Sequence, residues 1–173
     1  LSTGQQKNID RITHENFEFV NGDITDPDLV DSLVTDIDCV FHQAEVPSVS
    51  RSVDNPRRST HANCVGTATL IDAARKTDVE KFVAASSSSI YGSNSELPAS
   101  EDLPISPESP YALSKYYTEE LAKQASDIYG LETVALRYFN VFGPHQNPDG
   151  EYAAVIPKFV SLMLDGDRPV IYG

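Results

Sequence analysis

At 173 residues and 40% hydrophobic side chains, the chain is long enough to bury a core and too apolar to stay disordered. Its net charge of −13 argues against the clustered basic footprint of a nucleic-acid binder. No apolar run approaches the roughly 20 residues that span a bilayer and no signal peptide is visible, so a cytoplasmic protein without a membrane partner is expected.

Residues 16–20 alternate and end in Asn21-Gly22-Asp23, which predicts a strand and a turn. Asp26-Pro27 opens a short helix through Leu29, Val30, Leu33 and Val34. Residues 38–44 form a continuous apolar run and read as a buried strand. Asn55-Pro56 caps a long helix to about Thr77, whose Ala62, Gly66, Ala68, Ala73 and Ala74 allow close packing. Residues 81–85 predict a strand that runs into four serines, 86–89, and residues 92–109 a loop rich in Ser, Pro and Glu. Ser109 is a good N-cap and Pro110 suits the first helical position, so a helix is expected to Tyr129, with Gly130 as its stop. A strand over 133–139, a loop over 140–152, an amphipathic helix over 156–164 and a last strand at 170–173 complete the chain. The alternation implies an α/β fold, a doubly wound parallel sheet of Rossmann type with helices on both faces. The chain starts at Leu1 in a polar loop and ends on a strand without a following partner, so an internal fragment of a longer protein is expected.

In such sheets ligands bind beyond the carboxyl ends of the strands. Gln43-Ala44, Ser86 to Ser89 and Tyr138-Phe139-Asn140 all emerge there from apolar runs, beside the start of the Tyr111 helix. Tyr111 and Lys115 stand four apart and share a helix face. An ammonium at roughly 4 Å from a phenol favours the phenolate by up to about 4 kcal/mol, or ~3 pKa units, which would bring a tyrosine base near working pH. By spacing alone the two also suit the surface of an amphipathic helix. Cys39 and Cys64 read as small core residues of a reduced compartment. His14, His42, His61 and His145 are scattered without metal-ligand spacing.

Ser86-Ser87-Ser88-Ser89-Ile90-Tyr91-Gly92, then Ser109-Pro110-Tyr111-Ala112-Leu113-Ser114-Lys115, then Leu136-Arg137-Tyr138-Phe139-Asn140-Val141-Phe142-Gly143-Pro144 resemble the extended short-chain dehydrogenase/reductase superfamily. Within it they resemble the NAD-dependent nucleotide-sugar epimerases and dehydratases. Residues 146–150 and 153–158 look most like the UDP-N-acetylglucosamine 4-epimerase branch. The resemblance implies Tyr111 as catalytic base, Lys115 as the lysine that binds the nicotinamide ribose and lowers the phenol pKa, and Ser87, four before Tyr91, as the catalytic hydroxyl. It implies Asp23 and Ile24 beside the adenine, Gln43 and Ala44 along the dinucleotide, Asn63 near the cofactor, and Tyr138 and Phe139 around the nicotinamide. For the sugar nucleotide it implies Ser48, Ser88 and Asn140 at sugar and phosphate, and Ala154, Val155, Val170 and Tyr172 at the uridine. Val155 and Val170 equally suit plain core.

The implied protein is an NAD-dependent 4-epimerase of a UDP-sugar, with the N-acetylglucosamine/N-acetylgalactosamine pair as the expected substrate and product, and a homodimer. UDP-glucose or UDP-glucuronate epimerisation and a non-catalytic sugar-nucleotide binder are the alternatives. Residues 1–150 correspond to the NAD-binding domain and 151–173 to the start of the substrate-binding region. The glycine-rich phosphate loop and the acidic ribose-binding residue that this family places first do not occur in the chain, as expected of a truncation. The dehydratases carry Asp-Glu directly after the catalytic hydroxyl; Ser88-Ser89 stand there instead, which favours epimerisation. Glu45 stands where the family has a small residue, and a carboxylate buried there without a partner would be costly.

Overall fold

A computed structural model describes residues 4–94, 96–146 and 155–171. The chain divides into two compact units, Gly22–Phe139 and the pair of segments Leu1–Asn21 and Asn140–Gly173.

The larger unit is built on three parallel strands in the order β1 (Cys39–His42), β2 (Lys81–Ser87), β3 (Glu132–Tyr138). This is the Rossmann-type sheet expected from the strand–helix alternation. Parallel neighbours need long crossovers, and helices supply them. Two helices, α1 (Gln6–Ile9) and α2 (Pro27–Val34), precede β1; the crossover helices are α3 (Val49–Asp54), α4 (Pro56–Thr60), α5 (Gly66–Ala74) and α6 (Pro110–Tyr129). Asp26 caps α2 through the Leu29 N–H at 3.3 Å. Ser109 caps α6 through the Ala112 N–H at 3.1 Å, and Gly130 closes it in the left-handed region at φ 74°, donating to Ser126 O at 3.0 Å. Only a residue without Cβ takes that conformation at no cost.

Packing follows the side-chain periods. Thr133 donates to Ala122 O and Arg137 pairs with Glu119, so odd-numbered residues of β3 face α6. Val134 and Leu136, on the opposite side, remain exposed. Ala112, Lys115, Thr118, Ala122 and Ala125 recur at helical spacing along the buried stripe of α6. Phe82 in the central strand is fully buried among Val30, Ile71, Ala84 and Leu131. Its burial contributes about 1.5–3 kcal/mol.

Four sequence expectations change. The helix read as continuous from Pro56 contains a π turn at His61–Val65, between α4 and α5. Residues 16–20 and 170–171 form no strand, because no ladder partner lies beside them among the described residues. Cys39 and Cys64 are only partly buried, and what burial Cys64 has raises its thiol pKa. The α1 and α3 helices and a 3-10 turn at Ser88–Tyr91 were not anticipated. The smaller unit contains α1 and α7 (Val155–Leu164), and the Arg11 guanidinium bonds the His145 ring in it.

Candidate active site

The first turn of α6 lies beyond the carboxyl ends of the strands, where a helix leaves backbone N–H groups unpaired. Two serines satisfy them. Ser109 takes the Ala112 N–H, and Ser52 of α3 accepts from the Tyr111 N–H at 3.0 Å. Ser52 is fully buried, and its own hydroxyl donates to Val49 O at 2.6 Å. Ser48 caps α3 and does so at φ 90°, a strained backbone for a residue with a Cβ. Thus α3 fixes the height and rotation of the turn that carries Tyr111.

Lys115 follows one turn later and is almost fully buried. Its Nζ donates to Ala85 O at 2.7 Å and lies 5.9 Å from the centroid of the Tyr111 ring. It also pairs with the Glu45 carboxylate. The Tyr111 hydroxyl donates to that same carboxylate, at 3.2 Å from Oε1 and 3.4 Å from Oε2. Burial first, and then the Glu45 charge, push the phenol pKa well above the ordinary tyrosine range. The Ser87 hydroxyl favours the phenolate without reversing this, and the bond to Glu45 adds to the rise. The sequence expectation of a phenol brought near neutral pH by its lysine is therefore corrected. Much of the lysine's field is cancelled at Glu45, a residue that spacing along α6 could not bring into the account.

A polar seam buried under the pair holds it to the rest of the sheet. Asn63, in the π turn, accepts from Val46 N at 2.8 Å and donates to Val46 O at 3.3 Å and Ser114 Oγ at 3.0 Å. Ser114 donates to Tyr111 O at 2.7 Å. Thr67 donates to Asn63 O at 2.6 Å and lies 2.9 Å from Nε2 of His42. A π turn displaces side chains by one position relative to an α-helix, and here it aims Asn63 at the loop after β1.

Residues 2–173 match the model of the NAD dependent epimerase/dehydratase family. The chain belongs to that family. It is 42% identical to a UDP-N-acetylglucosamine 4-epimerase of Methanobrevibacter ruminantium, solved in complex with UDP-N-acetylmuramic acid; the match has a TM-score of 0.94 and covers 100% of this chain and 56% of that one. It is 37% identical to a Thermus thermophilus UDP-glucose 4-epimerase solved with NAD, at a TM-score of 0.85, over 98% of this chain and 54% of that one. A UDP-glucose 4-epimerase of Mycolicibacterium smegmatis is 39% identical over 100% of this chain and 56% of its own length. The chain thus spans about half the length of these relatives.

In this epimerase/dehydratase chain the larger unit brings together Ser87, Tyr111 and Lys115 with Glu45. Tyr138 pairs in register with Ser87 on the neighbouring strand, and Tyr138 and Phe139 are both exposed at that edge. Gln43 and Ala44 are exposed just past β1, and Ser88 is half-buried in the 3-10 turn. Asp23 is exposed; the Thr25 N–H and hydroxyl bind its carboxylate at 2.9 and 2.8 Å and hold its pKa below the usual range. Ile24 lies close against Gly66, where a Cβ would come within 2.4 Å of its Cδ1. Asn63 is engaged at its oxygen and twice at its nitrogen within the chain, so it braces the loop after β1 rather than offering those groups to a ligand.

Asn140, Val155 and Val170 belong to the smaller unit, and both valines are more than half exposed in this chain. Ala154 and Tyr172 lie outside the described residues. Sequence reading missed Ser52 and Ser114, although Ser48 before a six-residue apolar–polar segment is a capping signal for α3. It also missed Glu119, which holds Arg137 through two 2.9 Å bonds while Arg137 donates to Tyr91 Oη at 2.9 Å. That network fastens the strand end carrying Ser87 to α6. The donor set suits a dinucleotide's ribose: the buried Lys115 ammonium can give hydrogen bonds to its hydroxyls. No metal-holding cluster of His, Cys, Asp and Glu occurs among the described residues.

His42 yields a prediction about stability. It is buried, and no partner reaches its Nδ1 among the described residues. Burial, and then the Lys115 charge, lower its pKa from 6.5 to about 4. The unfolded chain therefore binds this proton at higher pH than the folded one. Nothing is lost above pH 6.5, and stability falls as pH drops from 6.5 toward 4, by about 3 kcal/mol in full. Urea unfolding across that window is expected to show a shallower pH slope for His42→Gln than for the unaltered protein. Equal slopes would remove His42 as the source.

Proposed function

We propose that the full-length protein is an NAD-dependent 4-epimerase of UDP-sugars, with UDP-N-acetylglucosamine and its 4-epimer as substrate and product. The observation that carries this reading is the convergence of Ser87, Tyr111 and buried Lys115 at one sheet edge, with uncharged Ser88 and Ser89 beside them. NAD, held by Lys115, would supply a hydride acceptor and donor at C4 of the sugar. Tyr111 takes the proton from the C4 hydroxyl and gives it back to the opposite epimer, and Ser87 orients that hydroxyl by a hydrogen bond. Lys115 fixes the ribose and favours the phenolate. The 4-keto sugar turns over in the site between the two hydride transfers. Removing water across C5 and C6 needs an acid and a base, which Ser88 and Ser89 do not supply.

The identity to the N-acetylglucosamine epimerase supports the acetylated substrate; UDP-glucose and UDP-glucuronate are the rival sugars. Residues 1–150 are assigned to cofactor binding and 151–173 to the substrate region. Incubating the full-length protein with each UDP-sugar and resolving the products by chromatography tests the reading. Conversion of UDP-N-acetylglucosamine is expected. Loss of one water by mass spectrometry would move the protein to the dehydratases, and binding without conversion would make it a sugar-nucleotide sensor.

A homodimer forms part of the proposal. Val53 of α3, Val65 of the π turn, and Leu113 and Tyr117 of α6 are exposed, and α6, at 20 residues, is long enough to pair across a two-fold axis. Light scattering of full-length protein at micromolar concentration is expected to give twice the chain mass, and a monomer mass would count against the pairing.

A further inference from the structure

We propose that Glu45 is a latch on the catalytic pair: its carboxylate holds the Lys115 ammonium and the Tyr111 hydroxyl together, and the ribose hydroxyls of the dinucleotide release it. The purpose of the latch rests on the epimerase reading; the contacts themselves do not. One carboxylate occupies both groups, pairing with Lys115 Nζ and accepting from Tyr111 Oη at 3.2 and 3.4 Å. The lysine side chain is 5% exposed and the glutamate 22%, so the carboxylate is the member that reaches solvent and can leave.

Its backbone is anchored. Asn63 clamps the next residue, Val46, at both N–H and C=O, and Ser114 of α6 holds Asn63. Glu45 is therefore presented to the first turns of α6 by an anchored loop, and its side chain is held there by Lys115 and Tyr111. With the carboxylate on the pair, opposite charges sit together beside the phenol and their fields largely cancel. With it turned away, the ammonium acts on the phenol alone. A ribose hydroxyl can take over the lysine's contact by accepting from Lys115, which leaves the carboxylate to turn to solvent. When the latch opens, the phenol O–H bond is the only one that breaks, and its proton passes to solvent. Among the described residues, the other polar or titratable groups near the pair include the Ser87 hydroxyl from β2, the Ser52 and Ser114 hydroxyls on the Tyr111 backbone, Asn63 behind Ser114, and His42 from β1, whose pKa the Lys115 charge helps to lower.

The test uses full-length protein and begins without a substrate. Ultraviolet titration of phenolate, with the matching Tyr111→Phe protein subtracted to remove the other tyrosines, reads the midpoint of Tyr111. In Glu45→Gln, and in Glu45→Ala as a second variant without an amide, that midpoint is expected to fall by about one pH unit or more. Calorimetry is expected to show NAD binding about tenfold tighter in both, since no carboxylate has to be displaced. Turnover is expected to persist, with its acidic limb moved to lower pH. An unchanged midpoint or weaker NAD binding in both variants overturns the latch. So does a collapse of turnover with a lowered midpoint, which would make Glu45 an obligatory proton acceptor. If wild-type protein binds NAD and the variants show both shifts, yet no UDP-sugar is converted, the epimerase reading fails and the latch stands.

Discussion

Tyr111→Phe in the full-length protein is expected to lose about 10²–10⁴-fold in turnover while still binding sugar nucleotide. The ring remains and keeps its packing; only the oxygen that exchanges a proton with the sugar is gone. Folding should change little. The Tyr111 backbone N–H stays on Ser52, and Glu45 keeps its pairing with Lys115. The lost phenol bond to Glu45 is near the long end of the hydrogen-bond range and is worth about 1 kcal/mol or less. Steady-state kinetics with calorimetric binding of the UDP-sugar would separate the two effects. Turnover at the wild-type rate would remove Tyr111 as the base, whereas a parallel loss of binding would make the hydroxyl a substrate anchor.

Lys115→Met is expected to damage both stability and activity, and for different reasons. Methionine fills the buried channel of the lysine stem but supplies no ammonium. Glu45 then loses its cation, and Ala85 O loses its donor. Removing one partner of a fully buried pair costs about 3–5 kcal/mol. Glu45 retains some solvent, so about 2–3 kcal/mol is the expected loss. Adding Glu45→Gln to Lys115→Met removes the stranded charge, and most of that stability is expected to return in urea unfolding. Turnover is not expected to return, because nothing then binds the ribose or favours the phenolate. Recovery of activity in the double variant would show that the lysine matters only as the partner of Glu45. No recovery of stability would show that the cost comes from the stem and the Ala85 contact.

What could be read from the chain by itself is what neighbouring residues decide. Ser109-Pro110 starts α6 and Gly130 ends it because capping is settled within one turn. The spacing of Tyr111 and Lys115 puts both at the first turns of that helix in any tertiary setting. Continuous apolar runs located the three strands, and their alternation with helices fixed a parallel sheet whose carboxyl ends carry the site.

Edges without partners misled the reading: residues 16–20 have a strand's pattern, but a ladder needs a second chain segment beside it. The π turn could not be seen either, since the residues from Pro56 onward have an ordinary helical pattern. Its reason lies elsewhere, in the Val46 backbone and Ser114 that Asn63 reaches. The chemistry of Tyr111 was decided furthest from its own sequence neighbours. Ser52 lies 59 positions away and Glu45 66, and both meet α6 only because the crossover after β1 folds back over the sheet edge. Local spacing determined that a lysine stands beside the phenol. Only the tertiary structure decided that a carboxylate stands there too, and at these distances the sign of the net field depends on it.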